Sequence, residues 1–261
     1  MSMLKLAVNL SMIYQELPLL QRFSAAKAQG FEHVEIQFPY ELSIDTLAQT
    51  LAEQQQSLCL INVPAGDLMQ GGLGLAGVPG REVEFSTALD LALDYAAALQ
   101  VPRINVLAGR QTPALEPAQC LDTLTQNLVL ACRRAAQRQI QVVLEMINGI
   151  NMPGFLIQNM TQALALLDAV QHPNLKLQFD CYHMAMMGED LNRCLRDHMQ
   201  HIGHIQFADC PGRQQPDTGK IDFSEFFQTI AQSDYQGFVA AEYIPHPNSV
   251  QSMAWKQRYF V

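Results

Sequence analysis

The chain has 261 residues, 49% of them hydrophobic, so it can bury a large core either as one α/β barrel or as two small domains. Its 25 Asp and Glu outweigh 16 Lys and Arg for a formal net charge of -9, which removes the long-range positive field expected of a nucleic-acid-binding protein. The six cysteines, Cys59, Cys120, Cys132, Cys181, Cys194 and Cys210, contain no C-x-x-C pair and read as reduced packing residues.

The opening stretch, MSMLKLAVNLSMIYQELP, has no clear basic flank, no small-residue cleavage pattern and no apolar span of membrane length. The expectation is a soluble cytoplasmic protein without a membrane partner. From there, short β-branched or apolar runs alternate with longer amphipathic ones, the mark of repeated βα units and a parallel sheet. The strand candidates are LKLAVNLS from Leu4, HVEIQF from His33, SLCLINV from Ser57, RINVLAG from Arg103, QVVLEMI from Gln141, LKLQFDC from Leu175, IGHIQFA from Ile202 and GFVAAEY from Gly237. The helical stretches between them include LPLLQRFSAAKAQ, IDTLAQTLAEQQ, EFSTALDLALDYAAAL, LDTLTQNLVLACRRAAQRQ, TQALALLDAV, LNRCLRDHMQ and FSEFFQTIAQ.

Eight such units at about 33 residues each fill the chain, so a single (β/α)₈ TIM barrel spanning residues 1–261 is the predicted fold. An open doubly wound sheet is the alternative, but the G-x-G-x-x-G turn it would carry after a first strand is missing. The glycine-rich segment Gly66 to Glu82 reads as a long loop after the third strand, at the end of the barrel where sites are built. The aromatic tail, with Trp255, Tyr259 and Phe260, predicts either a last short helix closing the barrel base or an interface in a homo-oligomer.

In such a barrel the carboxyl ends of the strands converge on one pocket. Glu145 ends VVLE, Asp180 ends LQFD, Gln206 sits in HIQF and Glu242 ends VAAE, each near the close of one of the last four strands and roughly one βα unit from the next. Any one of these acids could pair with a buried base or cap a helix. Four oxygen donors at the same place in consecutive units fit better a hard divalent cation, Mg²⁺ or Mn²⁺, with positions left for water or substrate.

His183, three residues after Asp180 in DCYH, is placed at the start of the loop leaving that strand, either as a neutral imidazole facing a substrate oxygen or as an ordinary satisfied histidine. Arg213, in the loop after the seventh strand, and Arg81, at the end of the glycine-rich loop, are the two guanidinium candidates for gripping a small carboxylate, against a solvated surface role for each. Asn9 and Glu35 also end strands and are assigned supporting, pocket-lining positions.

These residues sit in segments that resemble the hydroxypyruvate isomerase family, within the wider group of xylose isomerase-like barrels that also contains 2-oxo-tetronate isomerases and ketose 3-epimerases. The resemblance is carried by NLSMIY (9–14), GFEHVEIQFPY (30–40), NVPAGD (62–67), VPGRE (78–82), FDCYH (179–183), HIQFADCPGRQQPDTGKIDF (204–223) and YQGFVAAEY (235–243). Gln206 separates this group from epimerases, which usually place histidine there. The loop after Glu145, MINGINMPGF, departs from the longer polar stretch of many relatives.

The resemblance implies that Glu145 and Glu242 form the proton-transfer pair, that Asp180 and Gln206 complete the metal site, and that no organic cofactor is required. It implies metal-dependent isomerisation of a small hydroxy-keto acid, hydroxypyruvate to tartronate semialdehyde, through an enediolate. A four-carbon 2-oxo-tetronate isomerase and a ketose 3-epimerase are alternatives on the same site. A sugar-binding barrel is the alternative without catalysis, and a phosphodiester-cleaving barrel would need a histidine-rich multimetal site and a basic groove that the sequence lacks.

Overall fold

Strands covered on both faces need apolar residues on both, and that is how this chain writes them. The computed structural model describes residues 4–260. In chain order it shows β1 (Lys5–Asn9), α1 (Leu19–Ala28), β2 (His33–Ile36), α2 (Ile44–Gln54), β3 (Ser57–Asn62), α3 (Glu82–Ala98), β4 (Arg103–Val106), α4 (Pro117–Ala136), β5 (Gln141–Glu145), α5 (Met160–Val170), β6 (Leu175–Asp180), α6 (Cys181–Met186), α7 (Leu191–His198), β7 (Ile202–Phe207), α8 (Phe223–Ala231), β8 (Phe238–Ala241) and α9 (Trp255–Tyr259). The strands pair in parallel in sequence order, and β8 returns to β1 with Lys5 opposite Phe238 and Val8 opposite Ala241, so the sheet closes. The expected (β/α)₈ barrel is the fold.

Helix starts follow local chemistry. Ser43, Asn159, Asp190 and Asp222 accept the backbone N–H of Thr46, Gln162, Arg193 and Ser224 with Glu225, which satisfies donors that the first turn leaves open. Among the described residues no helix is long and apolar enough to cross a membrane.

The tail forms the short helix that its aromatics suggested, but on the flank of the barrel and not across its base. Trp255 packs edge-on to Phe207 with centroids 5.1 Å apart, Phe260 meets Phe227 at 4.8 Å, and Lys256 donates from Nζ to the Gln29 carbonyl while lying over the Phe31 ring. Thus α9 fills the gap between α8 and α1 in the outer ring.

Inside the barrel, alternate residues of each strand point to the axis and stack in tiers. A middle tier of apolar side chains, Ala7, Cys59, Leu60, Val143 and Ala240, forms a cluster separate from the main core. It also holds a fully buried polar pair, with His204 Nε2 2.7 Å from Glu35 Oε2. Burial pushes the His204 pKa down against the opposing pull of Glu35, so the ring is neutral and donates from Nε2. The tier above opens at the carboxyl ends of the strands, where Asn9, Glu145, Asp180 and Glu242 meet.

Candidate active site at the carboxyl ends of the strands

Three carboxylates, at the ends of three different strands, converge here almost fully buried. Glu145 is the last residue of β5, and its Oε2 accepts from Asn105 Nδ2 at 3.0 Å. Asp180 is the last residue of β6 and caps α6, with Oδ1 accepting from Tyr182 N at 2.8 Å, which leaves Oδ2 facing inward. Glu242 follows β8 directly; its Oε1 accepts from Asn9 Nδ2 at 2.8 Å and Gln37 Nε2 at 3.0 Å. All three acids are buried.

Arg213 is the cation among them. One nitrogen, Nη2, lies 2.5 Å from Glu242 Oε2 and 3.3 Å from Asp180 Oδ2, and the guanidinium carbon sits 5.3 Å from the centre of the Tyr182 ring. Burial alone would lower its pKa, but Glu242, Asp180 and Glu145 together raise it above the ordinary arginine value. Burial, then Glu242 and Asp180, push Glu145 well above the usual carboxylate range. Burial likewise pushes Glu242 up to about 7 despite Arg213. One guanidinium therefore does not neutralise the cluster.

His183 lies on α6, a short helix in place of the expected loop, and it is buried against the acids: Nε2 is 3.6 Å from Asp180 Oδ2 and 4.0 Å from Glu145 Oε1. Burial lowers its pKa to about 4, so it is neutral at physiological pH. Its tautomer follows from Asn148, whose Oδ1 accepts from Ile150 N and Asn151 N and whose Nδ2 must then point to His183 Nδ1, 2.6 Å away. With Nδ1 an acceptor, Nε2 carries the hydrogen and presents a donor to the site. In that tautomer Nε2 is a hydrogen-bond donor, while Glu145, Asp180 and His183 also bring one potential ligand atom each to within 4.8 Å of one another, the spacing of a metal site.

Gln206 lies opposite Asp180 in the β6–β7 register. Its amide is oriented from within the barrel: Nε2 donates to Glu35 Oε1 and Oε1 accepts from Gln178 Nε2 at 2.6 Å. An amide oxygen has two lone pairs, so one stays available. Glu145, His183, Arg213 and Glu242 line a cavity of about 180 Å³ together with Gln37, Phe38, Asn62, Met69, Leu107, Ile147, Asn151 and Met152, while Asp180 and Gln206 lie beneath its surface. The glycine-rich third loop contributes Met69 to it.

Arg81, the other guanidinium candidate, is not among the lining residues. Its guanidinium is spent on Asp67 Oδ1 at 3.0 Å, Glu84 Oε2 at 2.7 Å and the Gly74 carbonyl, fastening the glycine-rich loop to itself. Cations in such a clamp have few donors left for a ligand.

One buried acid was not anticipated. Asp209, after β7, accepts four backbone N–H groups: Cys210 and Ile221 on Oδ1, Thr218 and Gly219 on Oδ2. It ties both ends of the loop that carries Arg213, and Arg213 itself has the left-handed φ of 54°. Gly219 must be glycine, because a Cβ there would sit 2.4 Å from the Cys210 carbonyl oxygen. Asp209→Asn should lower stability by on the order of 3 kcal/mol, since an amide NH₂ would face two N–H donors. An unfolding midpoint in urea equal to that of the parent protein would show that the clamp carries no such weight.

Residues 23–259 match the family described as xylose isomerase-like TIM barrel. The chain belongs to that family. Within it, the chain is 38% identical over 257 residues to a hydroxypyruvate isomerase of Escherichia coli, covering 98% of this chain and 100% of that protein. It is 36% identical to a 2-oxo-tetronate isomerase of Cupriavidus necator, covering 98% of each. A crystal structure described as an AP endonuclease, family 2, from Brucella melitensis superposes with a TM-score of 0.95 at 35% identity, over 98% of this chain and 99% of that one. The first two of these xylose isomerase-like relatives are isomerases, and this chain is an isomerase as well.

Proposed function

We propose that this barrel interconverts a small hydroxy-keto acid and its hydroxy-aldehyde isomer, with hydroxypyruvate and tartronate semialdehyde as the reference pair. The observation that supports it most is the buried convergence of Glu145, Asp180 and Glu242 on one guanidinium and one N–H-bearing imidazole. With its protons displaced, this all-oxygen set suits a hard divalent cation, Mg²⁺ or Mn²⁺, held by these three acids with Gln206 as the fourth donor. When bound, the cation would supply Lewis-acid stabilisation of charge developing on adjacent substrate oxygens.

The chain's own groups do the rest. One of the pair Glu145 and Glu242 takes a proton from C3 of hydroxypyruvate, giving the planar enediolate, and the other returns a proton to C2, while the hydroxyl proton passes from O3 to O2. His183 Nε2–H is placed to donate to a substrate oxygen, and Arg213 to pair with the substrate carboxylate. The apolar rim of Phe38, Leu107, Ile147 and Met152 keeps bulk water from the carbanionic carbon.

The 2-oxo-tetronate isomerase relative supports a four-carbon acid as the second reading on the same site. Metal-reconstituted enzyme incubated with hydroxypyruvate, 2-oxo-tetronate and a panel of ketoses, with products identified by NMR, separates the readings. Turnover of ketoses alone would overturn the acid-substrate proposal.

Arg213→Lys tests the carboxylate anchor. Lysine keeps the charge but loses the planar fork and the face over Tyr182, so KM for the acid should rise about tenfold or more, the equivalent of one charge-assisted hydrogen bond. Unchanged KM would remove Arg213 from substrate binding.

A further inference from the structure

The opposite mouth of the barrel carries the reverse charge. At the amino ends of the strands, the lowest interior tier contains Arg103 at the start of β4 and Lys176 in β6, and Arg196 of α7 joins them around a cavity of about 590 Å³. Gly203 opens its floor, since a Cβ there would sit 2.6 Å from Gln141 Oε1 and 2.8 Å from Lys176 Cβ. Asp234 is the acid among the lining residues, and it is exposed.

Arg103 is the decisive member. It lies over the Phe238 ring, 5.1 Å from the centroid, and makes no ion pair among the described residues. Its Nε and Nη1 are closed off and without a hydrogen-bond partner, which leaves Nη2 as the donor open to the cavity. Glu35, in the tier above, is already taken by His204, Gln206 and Asn9. Lys176 Nζ donates to the Gln200 carbonyl at 2.6 Å and keeps further N–H groups. Arg196 reaches only the exposed Glu225, at 3.7 Å.

Three cations around one cavity, with a single exposed acid among its lining, are best met by an oxyanion. The geometry points to a second binding site at this mouth, for a small multiply charged oxyanion of phosphate or dicarboxylate type, gripped by Arg103 with Lys176 and Arg196. The site is on the far side of the barrel interior from the isomerase chemistry and independent of it.

Calorimetric titration of the intact enzyme with inorganic phosphate, and separately with malonate, at ionic strength held constant with sodium chloride, tests this. Saturable binding of phosphate assigns the phosphate type, and of malonate the dicarboxylate type; the absence of saturation by either overturns the proposal. Arg103→Met, which keeps an apolar stem over Phe238, should weaken binding about tenfold or more. If that variant does not fold, the paired surface changes Lys176→Gln and Arg196→Gln should weaken it comparably while isomerase turnover is unchanged. Binding that survives these changes, or that is lost instead in Arg213→Gln, places the anion elsewhere and ends the proposal.

Discussion

Glu145→Gln and Glu242→Gln should each lose kcat by at least ~10²-fold, the lower range for a general acid or base. Glutamine keeps the side-chain size and one ligand oxygen but removes the basic carboxylate. The hydrogen bonds around each acid favour the fold surviving: Asn105 still finds an oxygen at 145, and Asn9 and Gln37 still find one at 242, where the cost is an amide NH₂ turned towards Arg213. In deuterated water the parent enzyme should place solvent deuterium on the protonated carbon of the product. Wild-type turnover in either variant, or hydrogen moving between carbons with no exchange under any condition, would sink the two-glutamate mechanism in favour of a hydride shift.

Removing divalent metal with a chelator should abolish turnover, and Mg²⁺ or Mn²⁺ should restore it. Asp180→Ala should lower metal affinity and leave the barrel folded. The pH dependence has a definite sign: without a cation, burial holds Glu242 up to about 7 and Glu145 higher, so loading a cation must displace protons. Affinity should therefore rise as pH rises through about 7 and fall below it. Full activity in enzyme shown by elemental analysis to be metal-free would refute the requirement, and affinity flat between pH 6 and pH 8 (about one unit either side,) would contradict the pairing of protons with metal.

Strand-end acids were legible because a carboxylate at the close of an apolar run is expensive unless it is used; β5 and β6 end that way, and Glu242 follows β8 directly. Alternation could also have found Asn105, an inward polar residue in the run RINV, which reaches Glu145 and Asn62. The helical setting of His183 was hidden because α6 begins directly at Asp180, with no loop residues between strand and helix to announce it. The ion pairs of Arg81 were not legible for a physical reason: its partners Asp67 and Glu84 flank it in sequence, but whether a guanidinium turns to neighbours or to a cavity is settled by the path of the glycine-rich loop. Asp209 was invisible because its four partners are backbone N–H groups, which carry no side-chain signature.

The bond from Asn9 to Glu242 joins residues 233 positions apart across the seam between β1 and β8. Asn9 Nδ2 also reaches Glu35 at 2.9 Å, so the first strand holds one acid of the active site and one of the buried interior through a single amide. Contacts of such sequence separation form late in folding, since the loop entropy must be met before they reward the chain. During synthesis, a nascent chain that has not yet released β8 from the ribosome has the first seven strands but an open edge on β1 and β7, and lacks Glu242. Completion of the buried acid cluster and protection of those two edges from pairing with other chains thus arrive in the same step, when the last strand slots between its neighbours.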